Sequence, residues 1–360
     1  MRTFTPWSIA CHALMASLVT LLMSSFAQAT DEMPMQPAIT SALAAQSVML
    51  SVARAGKRLV AVGERGFIIA SDDDGKSWQQ LKSPVGVTLV KVRFIDDVEG
   101  WAVGHAGTVL HTLDAGLSWT RQLDGIQAAQ LELQAAQLGQ DAERIAQARQ
   151  LVDEGPDKPL LDVLFLDANT GWVVGAYGLA FMTHDGGQTW QPLRTAIDNP
   201  SGLHLYAIAQ SGADLFIAGE QGTLLRSRDQ GQSFQALASP YEGTTFGLQA
   251  TKNGTLIAFG LRGKAFESRD GGDSWQRLDT LQPVTLTSGL SLDDGSVLLA
   301  DESGRVLHFT GEATQAVALN VPQSSYFTGM AQAADGSLIL SSARGMLSSA
   351  IAVDVLEHDQ

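Results

Sequence analysis

Cysteine is almost missing from this chain: one residue, Cys11, in 360. It lies in an N-terminal stretch that reads as a leader, so the remainder has no thiol for a disulfide, a thiolate metal site or a nucleophile. Basic residues are also scarce, 23 Lys and Arg against 38 Asp and Glu. A field of that sign opposes nucleic acid and anionic lipid, so neither is expected as a partner. Beyond the leader no segment approaches 18 uninterrupted apolar residues, which excludes a spanning helix and direct membrane insertion. Gly-x-Ser-x-Gly, His-Glu-x-x-His and Gly-x4-Gly-Lys are all absent. His105, His111, His184, His204, His308 and His358 show no metal-ligand spacing, and Asp72-Asp73-Asp74 lacks the bidentate acid of a calcium loop. No cofactor, metal or catalytic residue is expected.

Residues 1–29 have the layout of a secretory signal peptide. Arg2 is the charged end, Ala13 to Met23 an apolar core of 11 residues, and Ala27-Gln28-Ala29 a small-x-small cleavage site. The leader holds one Arg and no acid, so 22 basic and 38 acidic residues remain after cleavage, a balance of −16. An exported chain of this size without cysteine points to a bacterial periplasm or a similar compartment, and to one domain over residues 30–360.

What the chain has instead is a repeat. Leu59 to Lys82 reads as a short strand, Gly63-x-x-Gly66, a second strand, then the box Ser71-x-Asp73-x-Gly75-x-Ser77-Trp78. The box returns around Asp114, Asp185, Asp229 and Asp270, each time five residues after the second glycine of a Gly-x-x-Gly pair. An Asp accepting N–H groups of its own turn, a Gly at positive φ and a large ring at the next strand make a hairpin corner. These five aspartates are therefore expected to be structural. First glycines fall at Gly63, Gly104, Gly175, Gly219 and Gly260, at intervals of 41, 71, 44 and 41; second glycines continue through Gly304 and Gly345. Seven units of about 40 residues, each holding four short strands, predict an all-β fold, a seven-bladed β-propeller.

The interval of 71 contains an insertion, about residues 124–158, between blades two and three. Ile126 to Glu154 is rich in Ala, Gln, Glu, Arg and Leu and is helical by propensity. Leu131, Leu138, Ile145 and Val152 recur every seven residues as a narrow apolar stripe; Gly139-Gln140-Asp141 favours a hairpin over one long rod. Blade seven lacks a signal for a fourth strand, and residues near 36–45 are expected to supply it and close the ring.

In a propeller the Gly-x-x-Gly loops share a face with the insertion, and the Asp-boxes lie opposite. The loop residues then form a ring that includes Arg65, His105, Tyr177, Gln221, Arg262 and Arg344. Arg65, Arg262 and Arg344 occupy one slot in blades one, five and seven. On an acidic protein they make a candidate docking patch for a carboxylate or acidic segment.

The pattern Asp-x3-Gly-Trp-x-Val-Gly-x-x-Gly followed by a box, as in Asp167 to Trp190, resembles the photosystem II stability/assembly factor family, over roughly residues 47–350. The resemblance implies an exported, non-catalytic propeller of the BNR/Asp-box type that assists assembly of a membrane protein complex. It also implies docking through a basic patch, for which Arg65, Arg262 and Arg344 are the matching positions. Relatives of this kind also occur in non-photosynthetic bacteria, so the client expected is a photosystem subunit or an RND-type transporter. A monomer is expected. The alternative from another class is a carbohydrate-active Asp-box protein, a sialidase-like glycosidase or a lectin. Against a sialidase stand the missing Arg-Ile-Pro-type signature, seven blades where sialidases have six, and no Tyr–Glu pair.

Overall fold

The computed structural model describes residues 36–311, 313–322 and 326–351. The expected leader, with Cys11, lies outside the described residues. Among the described residues seven antiparallel sheets follow one another along the chain: six have four strands in sequence order, and the last has three. Blade one shows the plan, with strands Met49–Ala55, Arg58–Gly63, Ile68–Ser71 and Gln79–Leu81 running from the axis outwards. The second strand is buried from end to end in every blade but for its first residue in two. Sheets packed on both faces demand such continuous apolar runs.

Among the described residues there is no central core. Seven apolar clusters occur, each drawn from two adjacent blades. Between blades two and three, for example, Trp101 stacks on Phe165 with ring centroids 3.5 Å apart, and Phe165 meets the ring of Trp190 edge-on. Stability is thus spread over seven like interfaces.

The corner boxes repeat to within a few tenths of an ångström. In all five, the Asp Oδ1 accepts from the first Ser or Thr hydroxyl at 2.7–2.8 Å and from the backbone N–H four residues on at 2.8–3.0 Å. Its Oδ2 accepts the second hydroxyl at 2.5–2.6 Å. The hydroxyls of Ser77, Ser233 and Ser274 hold the carboxyls of Asp73, Asp229 and Asp270 down at about 2. The box glycine presses on the preceding blade: a Cβ would collide with Ile339 at Gly75, Trp172 at Gly231 and Leu237 at Gly272.

The closure differs from expectation. Residues 36–46 do not pair with blade seven as a strand. They run along the outer edge of blade one, where Ala38 N–H donates to Ser83 O at 3.2 Å and Gln80 binds Ser41 N–H and Ile39 O. The segment then turns through a 3-10 turn, Ala44–Gln46, against the last strand, Gly345–Ser349. Ala44 is buried in the cluster that joins Met49, Leu59 and Ile69 of blade one to Ala331 and Ile339 of blade seven. Because that interface is filled like the other six, the ring closes by side-chain packing and needs no borrowed strand.

Two outcomes follow. The box carboxyls have folded-state values below their ordinary value of about 3.9, so their contribution is complete above about pH 4 and is lost as pH falls towards about 2. Thermal midpoints should be flat from pH 7 to about 4 and then drop, and Asp229→Asn should flatten that drop. At the closure, Gly345 has φ +97° and a Cβ would strike Ala45 O. Gly345→Ala should cost roughly 2 kcal/mol or more in denaturant unfolding, whereas Gly254→Ala, at φ +86° with nothing within 4 Å, should cost less.

Candidate partner-binding face

Each Gly-x-x-Gly loop is a tight turn with two successive residues at positive φ. The second x is Arg65, Ala106, Tyr177, Gln221 or Arg262 at φ 51–57°, and the glycine that follows lies at φ 62–77°. The N–H of the first x donates to the carbonyl that precedes the inner strand: Glu64 to Val48, His105 to Thr88, Ala176 to Pro159, Glu220 to His204 and Leu261 to Thr244, at 2.8–3.1 Å. This bond draws the loop so close that a Cβ on the first glycine would collide with that carbonyl. Blades six and seven keep the bond, Glu302 to Thr285 and Ala343 to Tyr326, without the first glycine. In blade six Asp301 takes the place, and its buried carboxylate binds Ser303, Arg305 N–H and the Arg305 guanidinium.

The six ring residues expected from the sequence, Arg65, His105, Tyr177, Gln221, Arg262 and Arg344, are all exposed at these turns. None of Arg65, Arg262 and Arg344 makes an ion pair among the described residues, so Glu64 and Glu302 do not neutralise them; Glu64 instead accepts Val48 N–H. Asp72, Asp73 and Asp74 are committed elsewhere. Asp72 pairs with Arg58, and Asp74 accepts the N–H groups of Ala334 and Asp335 in blade seven.

The insertion stands on the same face. Helix α1, Gly125–Gly139, opens with a capping box in which Asp124 and Gln127 bind each other's N–H groups; α2, Ala142–Glu154, is capped by Asp141. Gln140, at φ 56°, makes the turn between them, so the insertion is a hairpin. Both of its ends bind the blade-two loop, through Gly125 N–H to Ala106 O at 2.7 Å and Gly107 N–H to Lys158 O at 2.9 Å. The expected seven-residue stripe is only in part the buried face, since Leu131 packs against the cluster between blades two and three. Leu138 is 85% exposed, and α1 rests on Ala128, Ala129, Glu132 and Ala136 besides. Small side chains allow a close approach, and the turn at Gln140 breaks the phase that the spacing assumed.

Between the hairpin and blade three lies a cavity of about 240 Å³ lined by Glu132, Arg144, Lys158, Tyr177 and Arg194. Glu132 is buried, its Oε1 has no hydrogen-bond partner, and Arg144 stays 4.0 Å from Oε2. Burial pushes its carboxyl up, against the pull of Arg194 and Arg144.

A feature not foreseen completes the face. In every blade the inner strand carries a one-residue bulge near its start, setting off Leu50, Val90, Leu161, Tyr206, Phe246, Thr287 and Thr328. Through it Tyr177, His204, Tyr206 and Phe246 form an aromatic arc, with successive centroids 4.8, 6.2 and 5.1 Å apart. No spacing rule reveals this, because a bulge reverses the in–out alternation that such rules count. The face thus has an arginine sector on blades seven, one and five, and an aromatic sector on blades three to five beside the hairpin.

Comparisons with known proteins agree with this architecture. A family model described as photosynthesis system II assembly factor YCF48 matches residues 30–145 and 141–347. The photosystem II assembly lipoprotein Ycf48 of Synechococcus sp. (strain CC9902) is 30% identical over 183 residues, 50% of this chain and 46% of that protein. The chain spans less than half the length of the curated relatives it matches. A solved structure of YCF48 bound to D1 peptide superposes with a TM-score of 0.59 at 17% identity, over 88% of this chain and all of that one. The GH74 enzyme of Niastella koreensis superposes at 0.63 with 10% identity, over 86% of this chain and 53% of that one, a likeness of fold alone.

Glu132 gives a check on the hairpin's seat. A carboxyl whose folded-state value is raised opposes folding once pH exceeds its unfolded value. Glu132→Met should therefore gain ~1–2 kcal/mol at pH 7 and less at pH 4.5, by chemical denaturation. A loss at pH 7 would mean that the arginines already satisfy it.

Proposed function

The chain belongs to the YCF48 photosystem II assembly factor family, and from that premise we propose that it is a non-catalytic factor that holds an exported segment of a membrane protein during assembly of its complex. The supporting observation is the ring of loop residues in which Arg65, Arg262 and Arg344 stand exposed and without ion pairs among the described residues, Arg65 and Arg344 away from the aromatic arc and Arg262 on the same blade as its Phe246. Such a surface suits a segment that is both acidic and apolar: guanidinium groups hold carboxylates in a fork geometry, and flat rings take apolar side chains. That a related propeller has been solved with D1 peptide supports a membrane-protein client. The client is a photosystem subunit in a photosynthetic source and a transporter of the RND type elsewhere. Work in the periplasm, after cleavage near Ala29, fits the leader-like residues 1–29; no helix among the described residues is long and apolar enough to cross a membrane.

The carbohydrate reading is weaker. A glycosidase needs two carboxyls facing a common bond. The axial channel is lined by only two among the described residues, Asp162 and Asp293, and Asp162 is tied to Arg93 at 2.7 Å. The five box aspartates spend both oxygens on their own turns.

Charge reversal of Arg65 and Arg262 together should reduce recovery of the membrane client by at least tenfold in affinity purification from solubilised membranes, with the thermal midpoint unchanged. Undiminished recovery would overturn the arginine assignment. Turnover of aryl glycosides by the wild-type protein would overturn the non-catalytic reading.

A further inference from the structure

The axial channel holds a group that neither the fold nor the docking face uses. Next to the bulge, each inner strand places one residue at the channel's waist. In blades one, four, five, six and seven these are Ser51, Ala207, Gly247, Ser288 and Gly329, all small and buried. In blade two the same register position is Lys91, opposite Val103 in the sheet as Ser51 is opposite Val62. A long cationic side chain thus reaches into a passage that five of its six counterparts keep open, the sixth, in blade three, being Asp162. The cavity so formed is about 520 Å³, within the range of small-molecule sites.

Lys91 makes no hydrogen bond or ion pair among the described residues. Its neighbour Arg93 is already used: it binds Asp162 Oδ2 at 2.7 Å and Ile208 O at 3.2 Å. Asp162 in turn accepts Val163 and Ile208 N–H, so its charge is shared among three other donors. Lys91 lines the channel and is half-buried, as expected of a lysine projecting into a tunnel. The enclosure disfavours its charged form, by burial first, with Arg93 adding to the effect and Asp162 opposing it. Elsewhere in the same cavity the buried Ser291 Oγ also has no partner. Towards the mouth stand Tyr206 and Phe246, rings 5.1 Å apart and edge to face.

We propose that the channel binds a small aromatic carboxylate, its anionic group on the Lys91 ammonium and its flat body against Tyr206 and Phe246. One unpaired cation in a narrow, partly desolvated passage calls for one anionic group, and that environment makes the pairing stronger than it would be on the surface. A body that fills the mouth calls for apolar surface in place of further charge. The site lies on the axis and does not include Arg65, Arg262 or Arg344, so its anion site is separate from the arginine sector, while Tyr206 and Phe246 belong both to it and to the aromatic arc.

The test is isothermal titration of the exported chain with benzoate, with its neutral near-isostere benzamide and with inorganic phosphate. Benzoate should bind saturably at one site, benzamide and phosphate at least tenfold more weakly. Lys91→Gln should remove the preference for benzoate, and Tyr206→Ala should weaken benzoate at least threefold while keeping it. Charge reversal at Arg65 and Arg262 should leave benzoate binding intact, which separates failure of this site from failure of the docking face. Equal binding of benzoate and benzamide, phosphate as tight as benzoate, or an undiminished preference in a Lys91→Gln protein with a wild-type melting curve would overturn the proposal. Should Lys91→Gln fail to fold, Ser288→Val narrows the same waist and should exclude benzoate; unaltered binding would be equally decisive.

Discussion

One backbone hydrogen bond organises the working face of this molecule. In each blade the amide after the first position of the loop donates to the carbonyl just ahead of the inner strand, at 2.8–3.3 Å in all seven. That contact brings the loop between the second and third strands over the point where the chain enters the axis. Glycine stands at the first position in five blades because a side chain would strike the carbonyl. Where glycine has been lost the bond survives: Asp301 folds its carboxylate back on its own loop, and Ser342 receives the N–H of Arg344. The bond is therefore the conserved object within the chain, and glycine is the commonest means to it.

The face opposite is built from side chains. Each box closes its corner with its own hydroxyls and amides, and its glycine then lies flat against the neighbouring sheet. Corner and interface are thus one device, repeated at Gly75 against Ile339 even where last blade meets first. Among the described residues the ring thus closes with three strands in blade seven, and residues 36–46 serve as an apolar wedge at Ala44 beside the edge of blade one. An extra strand would have capped an outer edge; the interface that had to be filled lies further in.

How legible this was depends on how local each determinant is. The corner boxes, the loop glycines and the blade count follow from short spacings, since every group that decides them lies within about ten residues. The exposed ring from Arg65 to Arg344 was legible for the same reason: a positive-φ turn points its central side chain outwards wherever it occurs. The seat of α1 was not. Leu138 looked like part of the apolar seam with Leu131, yet only Leu131 packs inward, beside Ala128, Ala129 and Ala136, and Glu132 is buried with them. The aromatic arc and Lys91 were hidden for another reason. They depend on an extra residue in each inner strand, which shifts the side chains around it to a face that period-two counting assigns to the core.

That inserted residue has a consequence for how such molecules diversify. It is set off from the ladder on either side, and in all seven blades it is partly exposed; Thr287 and Thr328 also tie their blades to Phe327 O and Met49 O of the next, while the other five can be altered without disturbing the pairing of the sheet. The chain here spends those seven positions on Leu50, Val90, Leu161, Tyr206, Phe246, Thr287 and Thr328, a mixture that no single packing requirement would select. Around the symmetry axis the architecture thus keeps a set of interchangeable tiles, whose chemistry is free to drift from one lineage to another while the frame that carries them stays as it is.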